Sequence, residues 1–198
     1  HDDGQGRAYP RLQRHGAYGT YTESEIRHLA QEAQKLADRY ITARKSRWSG
    51  NIVFRDLEDA MARKEWNCDI STRRDTALHI LLHEQLHAKS VSHYGEQAFL
   101  ENWIFEEGPT ELLAKEICLK ENIPAVKTSY DDMVDALKEI NKKAHICDTD
   151  YEFAVSIFEV DLPKRREWLE NVIDKNMKSS TIEERMAVSS LITTYLEG

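Results

Sequence analysis

The chain lacks any apolar run approaching the roughly 20 residues that a membrane-crossing helix needs, so no such span and no membrane partner is expected. It has no signal-peptide pattern, in which a basic start leads into an apolar stretch. Cysteine is scarce and scattered: Cys68, Cys118 and Cys147. An odd count without a close pair argues against a disulfide framework and against a cysteine-based zinc site. It fits a reducing compartment, and a cytoplasmic location is expected. An excess of positive charge is also missing. Twenty-seven Lys and Arg against 35 Asp and Glu leave a net charge of −8, which argues against nucleic acid as a partner. There is no internal repeat and no low-complexity tract. The chain does not open with Met. Its start, HDDGQGRAYPRLQRHGAYGTY, reads as a tag remnant or cut boundary, and residues 1–20 as a flexible lead-in to a piece of a longer polypeptide.

What remains is 198 residues, enough for one domain with a full core, or for one domain and a small appendage. Thr22 and Glu25 form a capping-box pattern. Apolar residues from Ile26 to Tyr40 then recur at helical spacing, which predicts an amphipathic helix over 23–44. SGNIVFRD predicts a short strand at 51–55, DLEDAMARKE a short helix, and WNCDIS a second strand at 66–71. TRRDTALHILLHEQLHAKS predicts a buried helix of about five turns. STRRD, at its start, has the look of a helix beginning and no chemistry. GEQAFLENWIF and EEGPTELLAKEICLKENI predict two further helical pieces separated at Pro109, because proline is tolerated only in a helix's first turn. Beyond Pro124 the pattern is helical at about 129–144, 149–158, 162–178 and 180–196. LPKRREWLE reads as a solvated charge run. Early strands and late helices without alternation give an α+β class, mostly helical, with a small N-terminal sheet and a C-terminal helical subdomain.

Chemistry concentrates in HEQLH, residues 83–87. On a helix His83 and His87 lie one turn apart and about 40° apart around the axis, so both rings can reach one metal ion. Glu84 is displaced by a further 100° or so. It flanks such an ion rather than binding it, which suits a base acting on a metal-bound water. Zinc in catalytic sites takes three protein ligands and keeps a fourth position open. The alternative is a helix whose polar residues are satisfied by neighbours or lie at the surface. Leu78, Ile80, Leu81, Leu82 and Leu86 mark the helix as buried, and burying His83, Glu84 and His87 without partners would cost several kcal/mol. His79, one turn earlier, either lines the site or is a satisfied core residue.

Three residues are candidates for the third ligand. His93 has the HExxHxxGxxH spacing of the metzincins, but Ser90 stands where that pattern needs glycine. The others lie in WIFEEGPTE. Here residues 83–111 resemble the gluzincin superfamily of zinc peptidases. In thermolysin-like and aminopeptidase-like members, HExxH is followed after some 18–19 residues by a glutamate ligand in a motif similar to NExxSD or WLNEG. Trp103, Glu107 and Gly108 echo the second form, and the Glu107–Glu111 spacing echoes the first. The resemblance implies that His83, His87 and Glu107 bind one zinc ion. It also implies that Glu84 is the general base and that Glu111 orients His83 from behind. The chain departs from the pattern in having Glu106 where Asn is common, which makes Glu106 a rival ligand, and in having Pro109 inside the motif.

The resemblance further implies a minimal zincin-like domain. Residues 21–124 would form the metal-binding half, and 125–198 a helical half completing the cleft. The expected activity is hydrolysis of peptide bonds in a peptide or protein substrate. The alternative is a catalytically weak structural, assembly or regulatory module that keeps zinc for stability. A gluzincin-type reaction also needs an oxyanion donor, for which His145, Tyr130, Tyr151, Tyr195, His93 and Tyr94 are candidates. NIVFR is a candidate edge strand for pairing with an extended substrate.

Overall fold

A computed structural model describes residues 21–58, 60–90 and 96–197. Chain contacts divide them into two units. The first takes the described residues up to Lys89 together with Ile117–Val126, and the second takes Ser90–Glu116 and the chain from Lys127 onward. Among the described residues helices predominate, and no helix is long and apolar enough to cross a membrane. Cys68, Cys118 and Cys147 are free thiols.

The first unit opens with helix α1, Glu23–Tyr40. Thr22 and Glu25 close the expected capping box, each side chain accepting from the other's backbone amide at 3.1 and 3.0 Å. Ile26, Leu29, Ala33 and Leu36 form its buried face. The helix stops four residues short of expectation because the following residues are used elsewhere. The Arg47 amide donates to the Ala88 carbonyl at 2.9 Å, and Arg44 Nε donates to the Lys89 carbonyl at 2.8 Å. Both serve carbonyls past the end of a second helix, where no helical amide is available.

Strand β1 is Ile52–Phe54, β2 is Ala62–Lys64 and β3 is Ile70–Thr72. The sheet order is β1-β3-β2, with β1 parallel and β2 antiparallel to the central β3. The helix expected over DLEDAMARKE does not form. Ala, Met, Arg, Lys and Glu favour helix by propensity, but residues 62–64 pair with 70–72, and pairing overrides propensity. The hairpin turn is locked by Asp69, whose carboxylate accepts from Ser49 Oγ at 2.6 Å, Asn67 Nδ2 at 3.1 Å and Asn51 Nδ2 at 3.3 Å. The Ser49 hydroxyl, foremost among these donors, holds the Asp69 carboxyl below its ordinary pKa.

Helix α2, Leu78–His87, is buried at every position. It packs on α1 and under β2. It is shorter than the sequence pattern, since β3 takes residues 70–72. Arg73 then folds back on Asp75 with two guanidinium–carboxylate hydrogen bonds of 2.8 and 2.6 Å.

In the second unit the chain enters helix α3, Glu96–Glu121, whose last turn belongs to the first unit. The expected break at Pro109 is not there. The irregular residue is Asn102, at φ −132° and ψ 18°. Its side chain donates to the Ala98 carbonyl at 2.9 Å. Pro109 sits inside the helix, so the Phe105 carbonyl, four residues earlier, has no helical donor. Arg165 Nη1 supplies one at 2.8 Å. The helix continues through proline because a tertiary donor replaces the missing amide.

The remaining helices follow the sequence pattern closely: α4, Asp131–Ala144; α5, Asp150–Phe158; a 3-10 turn at Leu162–Lys164; α6, Arg165–Asn176; and α7, Ile182–Tyr195. Thr149 and Thr181 cap α5 and α7 through their hydroxyls. Leu112, Leu137, Ile140, Phe153, Phe158 and Leu169 build the core of this unit. The charge run LPKRREWLE is not wholly solvated, for Arg165 within it is fully buried.

The α1 cap gives a direct check. Thr22→Ala should lower the unfolding free energy by about 1 kcal/mol, read as a lower urea midpoint at unchanged slope. No shift would mean that the capping box does not hold this helix.

Candidate metal centre

Every side chain of α2 faces protein, so its polar residues must find partners inside. The His79 ring is fully buried, and its Nδ1 accepts the Val126 amide at 3.0 Å. That nitrogen is committed to the backbone, as befits a satisfied core histidine. Gln85 donates to the Ala30 carbonyl of α1 at 3.2 Å.

His83 and His87 turn to each other. Their Nε2 atoms lie 2.8 Å apart, the ring centroids are 4.6 Å apart, and the planes cross at 76°. Two ring nitrogens at this distance share a proton, one donating and the other accepting. A tetrahedral zinc ion with Zn–N bonds of about 2.0–2.1 Å holds two such nitrogens roughly half an ångström farther apart. Binding then requires a small opening of the rings and transfer of the shared proton to the far Nδ1 of its ring. Both changes lie within the reach of imidazole side chains. Together with Glu84, the pair forms a group whose ligand atoms lie within 4.8 Å of one another. Among the described residues no other cluster of histidines, cysteines and carboxylates meets that test.

Glu84 is buried, and its Oε2 accepts the Lys64 amide at 2.5 Å. The direction of that amide follows from the sheet register. Arg63 pairs with Ser71, and the flanking bonds Glu65 N–H to Asp69 and Arg73 N–H to Met61 belong to the same set of hydrogen-bonded pairs. The main-chain groups of Ala62 and Lys64 therefore face the outer edge of β2. The strand edge that meets Glu84 is thus β2, whereas NIVFR, now β1, lies at the opposite edge of the sheet.

The carboxylates of α3 are placed as follows. Glu106 is buried, its Oε2 3.0 Å from Arg165 Nη1 and 3.0 Å from the Ser90 hydroxyl, which donates to it. Glu107 and Glu111 are also buried, and their four-residue spacing puts them on one face of the helix. Glu111 Oε2 accepts the Thr128 hydroxyl at 2.6 Å. His93 and Tyr94 lie outside the described residues. Ser90, where a metzincin-type turn needs glycine, contributes its side chain to the bonds with Glu106 and Arg165.

Among the other oxyanion candidates, His145 is the exposed, left-handed C-cap of α4 (φ 50°), and Tyr130 is the half-buried N-cap of the same helix. Tyr195 ends α7 and is 40% exposed. Tyr151 is half-buried, and burial raises its phenol pKa above the ordinary value, so it remains a proton donor at neutral pH.

Sequence reasoning missed two groups. The Lys64 amide is a backbone group and leaves no mark in residue identity. Arg165 is hidden in a charge run, with cationic neighbours on both sides. No protein family, curated protein or solved structure matches the chain.

The His83–His87 geometry predicts that chelator-treated protein takes up about one equivalent of zinc, as a single tetrahedral site does. His83→Ala or His87→Ala should each abolish that uptake in a titration with a colorimetric zinc indicator. Wild-type uptake by both variants would rule out the pair as the metal-binding element.

Proposed function

We propose that the protein is a zinc-dependent hydrolase of peptide bonds, acting in a reducing, cytoplasmic setting in keeping with its free thiols. The observation that carries this reading is the convergence of the His83 and His87 Nε2 atoms beside Glu84, a buried carboxylate held by a strand-edge amide. His83 and His87 would hold the metal. Glu107 is assigned as the third ligand on the gluzincin resemblance, and Glu111 as the group that orients His83. Glu106 is the weaker rival because its carboxylate is engaged by Arg165 and Ser90.

When bound, zinc supplies a water made acidic at neutral pH and a Lewis acid that polarises the scissile carbonyl. Glu84 would accept a proton from the attacking water and return it to the departing amine. The Lys64 amide fixes the direction of the Glu84 carboxylate, which otherwise has rotational freedom. Burial of His83, Glu84 and His87 to below 10% exposure keeps bulk water from solvating the base. The outer main-chain groups of β2 other than the Lys64 amide, which Glu84 takes, would give an extended peptide a strand to pair with. The alternative, a module that keeps zinc only for stability, would use the carboxylate at position 84 only to accept the Lys64 amide.

Two experiments separate these readings. Glu84→Gln should keep its zinc and its melting temperature, and should lose activity on denatured protein substrates by a factor of roughly 10²–10⁴, as removal of a general base does. If the wild type shows no turnover on such substrates while carrying stoichiometric zinc, the structural module is the better reading. For the third ligand, Glu107→Ala should abolish tight zinc binding and His93→Ala should leave it intact. The reverse pattern would replace the gluzincin arrangement with a metzincin-like one.

A further inference from the structure

The hairpin that brings the Lys64 amide to Glu84 lies wholly within the first unit. Strand β2 has three residues and Lys64 is its last, so the turn that follows sets where this amide stands. That turn is a three-residue loop between Glu65 and Asp69. The Cys68 amide donates to the Glu65 carbonyl at 2.9 Å, and the Glu65 amide donates to the Asp69 carbonyl at 2.8 Å. Loops of this kind place their last residue in the left-handed region, where glycine is at ease. Here that residue is Cys68, at φ 67°. A side chain disfavours this conformation, so the turn has to be held from outside.

Asp69 provides the hold. Its Oδ1 accepts the Ser49 hydroxyl at 2.6 Å and Asn51 Nδ2 at 3.3 Å, and its Oδ2 accepts Asn67 Nδ2 at 3.1 Å. The Asp69 amide in turn donates to Asn67 Oδ1 at 3.0 Å. Ser49 and Asn51 converge on one oxygen because Gly50 between them turns at φ 89°. Two backbone bonds tie the same segment to the hairpin. The Ser49 amide donates to the Cys68 carbonyl at 3.0 Å, and the Ile70 amide to the Asn51 carbonyl at 3.1 Å. One carboxylate thus joins the turn to the chain that leads into β1.

Resting on the reading of Glu84 as general base, we infer that Asp69 is a positioning residue for it. By locking the turn, Asp69 fixes the end of β2, and the Lys64 amide at that end holds the Glu84 carboxylate in one direction. Asp69 acts through the strand and is not itself a catalytic residue.

The test has two readouts. Hydrogen exchange at the Lys64 amide, followed by NMR on metal-free protein, reports the Lys64–Glu84 bond without any turnover. The kcat and KM on a denatured protein substrate report the base. Asp69→Ala and Ser49→Ala are the variants, so that poor folding of the first leaves the second to decide. Both should exchange the Lys64 amide several-fold faster than wild type. Asp69→Ala should lose roughly 10–100-fold in kcat, the scale of a misplaced catalytic group, with KM and zinc content unchanged. Asp69→Asn, which keeps Oδ1 as an acceptor, should recover part of that loss. Thr22→Ala, which loosens α1 without touching the hairpin, should leave both readouts at wild-type values. Unchanged exchange in folded Asp69→Ala and Ser49→Ala would overturn the inference, and so would faster exchange at full kcat. In either case, loss of activity by Glu84→Gln would leave the hydrolase reading standing. An inactive wild type would overturn the hydrolase reading, and the inference with it.

Discussion

A helix buried on all sides must satisfy every polar atom it carries from within the protein, and α2 is such a helix. Its sequence places His79, His83, Glu84, Gln85 and His87 where water does not reach. Leaving any of them without a partner costs about 1–3 kcal/mol, more for a charge. The first unit is arranged around that requirement. Val126 gives its amide to His79, Ala30 on α1 gives its carbonyl to Gln85, and Lys64 on β2 gives its amide to Glu84. Beyond the helix, Arg47 and Arg44 take the carbonyls of Ala88 and Lys89. The two remaining histidines turn their Nε2 atoms to each other at 2.8 Å, and that convergence makes them a pair that could hold a metal.

The second unit solves a similar problem with a different device. Its long helix contains a proline that removes one amide, and three glutamates that must be buried near it. A single guanidinium answers the proline by occupying the orphaned carbonyl, and it answers one glutamate with its charge. A buried ion pair of this kind is weak evidence for stability, since desolvation offsets much of the attraction. What it provides is direction, because a planar fork with five fixed donors tolerates little rotation of its partners. Glu121, at the other end of α3, is buried against Arg39 and Tyr40 in the first unit. There too a buried carboxylate is matched by a cation and a hydroxyl.

The two devices fix direction in different ways. A carboxylate that accepts a backbone amide, as Glu84 does from Lys64, is held in one orientation. The strand edge that restrains Glu84 is also the edge whose remaining main-chain groups face outward. At Ser90 the side chain is occupied by Glu106 and Arg165, so a sharp glycine-like turn at this position would sacrifice bonds that the second unit uses.

The helical architecture was legible in the chain, because amphipathic spacing and threonine caps are local. Thr22 opens its helix as the capping-box pattern implies, and α4 to α7 fall close to their expected limits. The HEQLH pair was legible too, since i and i+4 on a helix face the same way whatever surrounds them. The strand at Ala62–Lys64 was not, because its residues prefer helix and only pairing with β3 makes them extended. The uninterrupted helix through Pro109 was not legible either, nor was the break at Asn102. Both depend on which donor reaches which carbonyl, and Arg165 lies 56 residues beyond Pro109 in the chain. The sequence by itself thus determined the periodic elements and the facing pair of histidines, whose geometry is set within a turn of helix. Only the tertiary structure decided which strand edge meets Glu84 and which glutamate an arginine claims, because those are contacts between residues that share no local pattern.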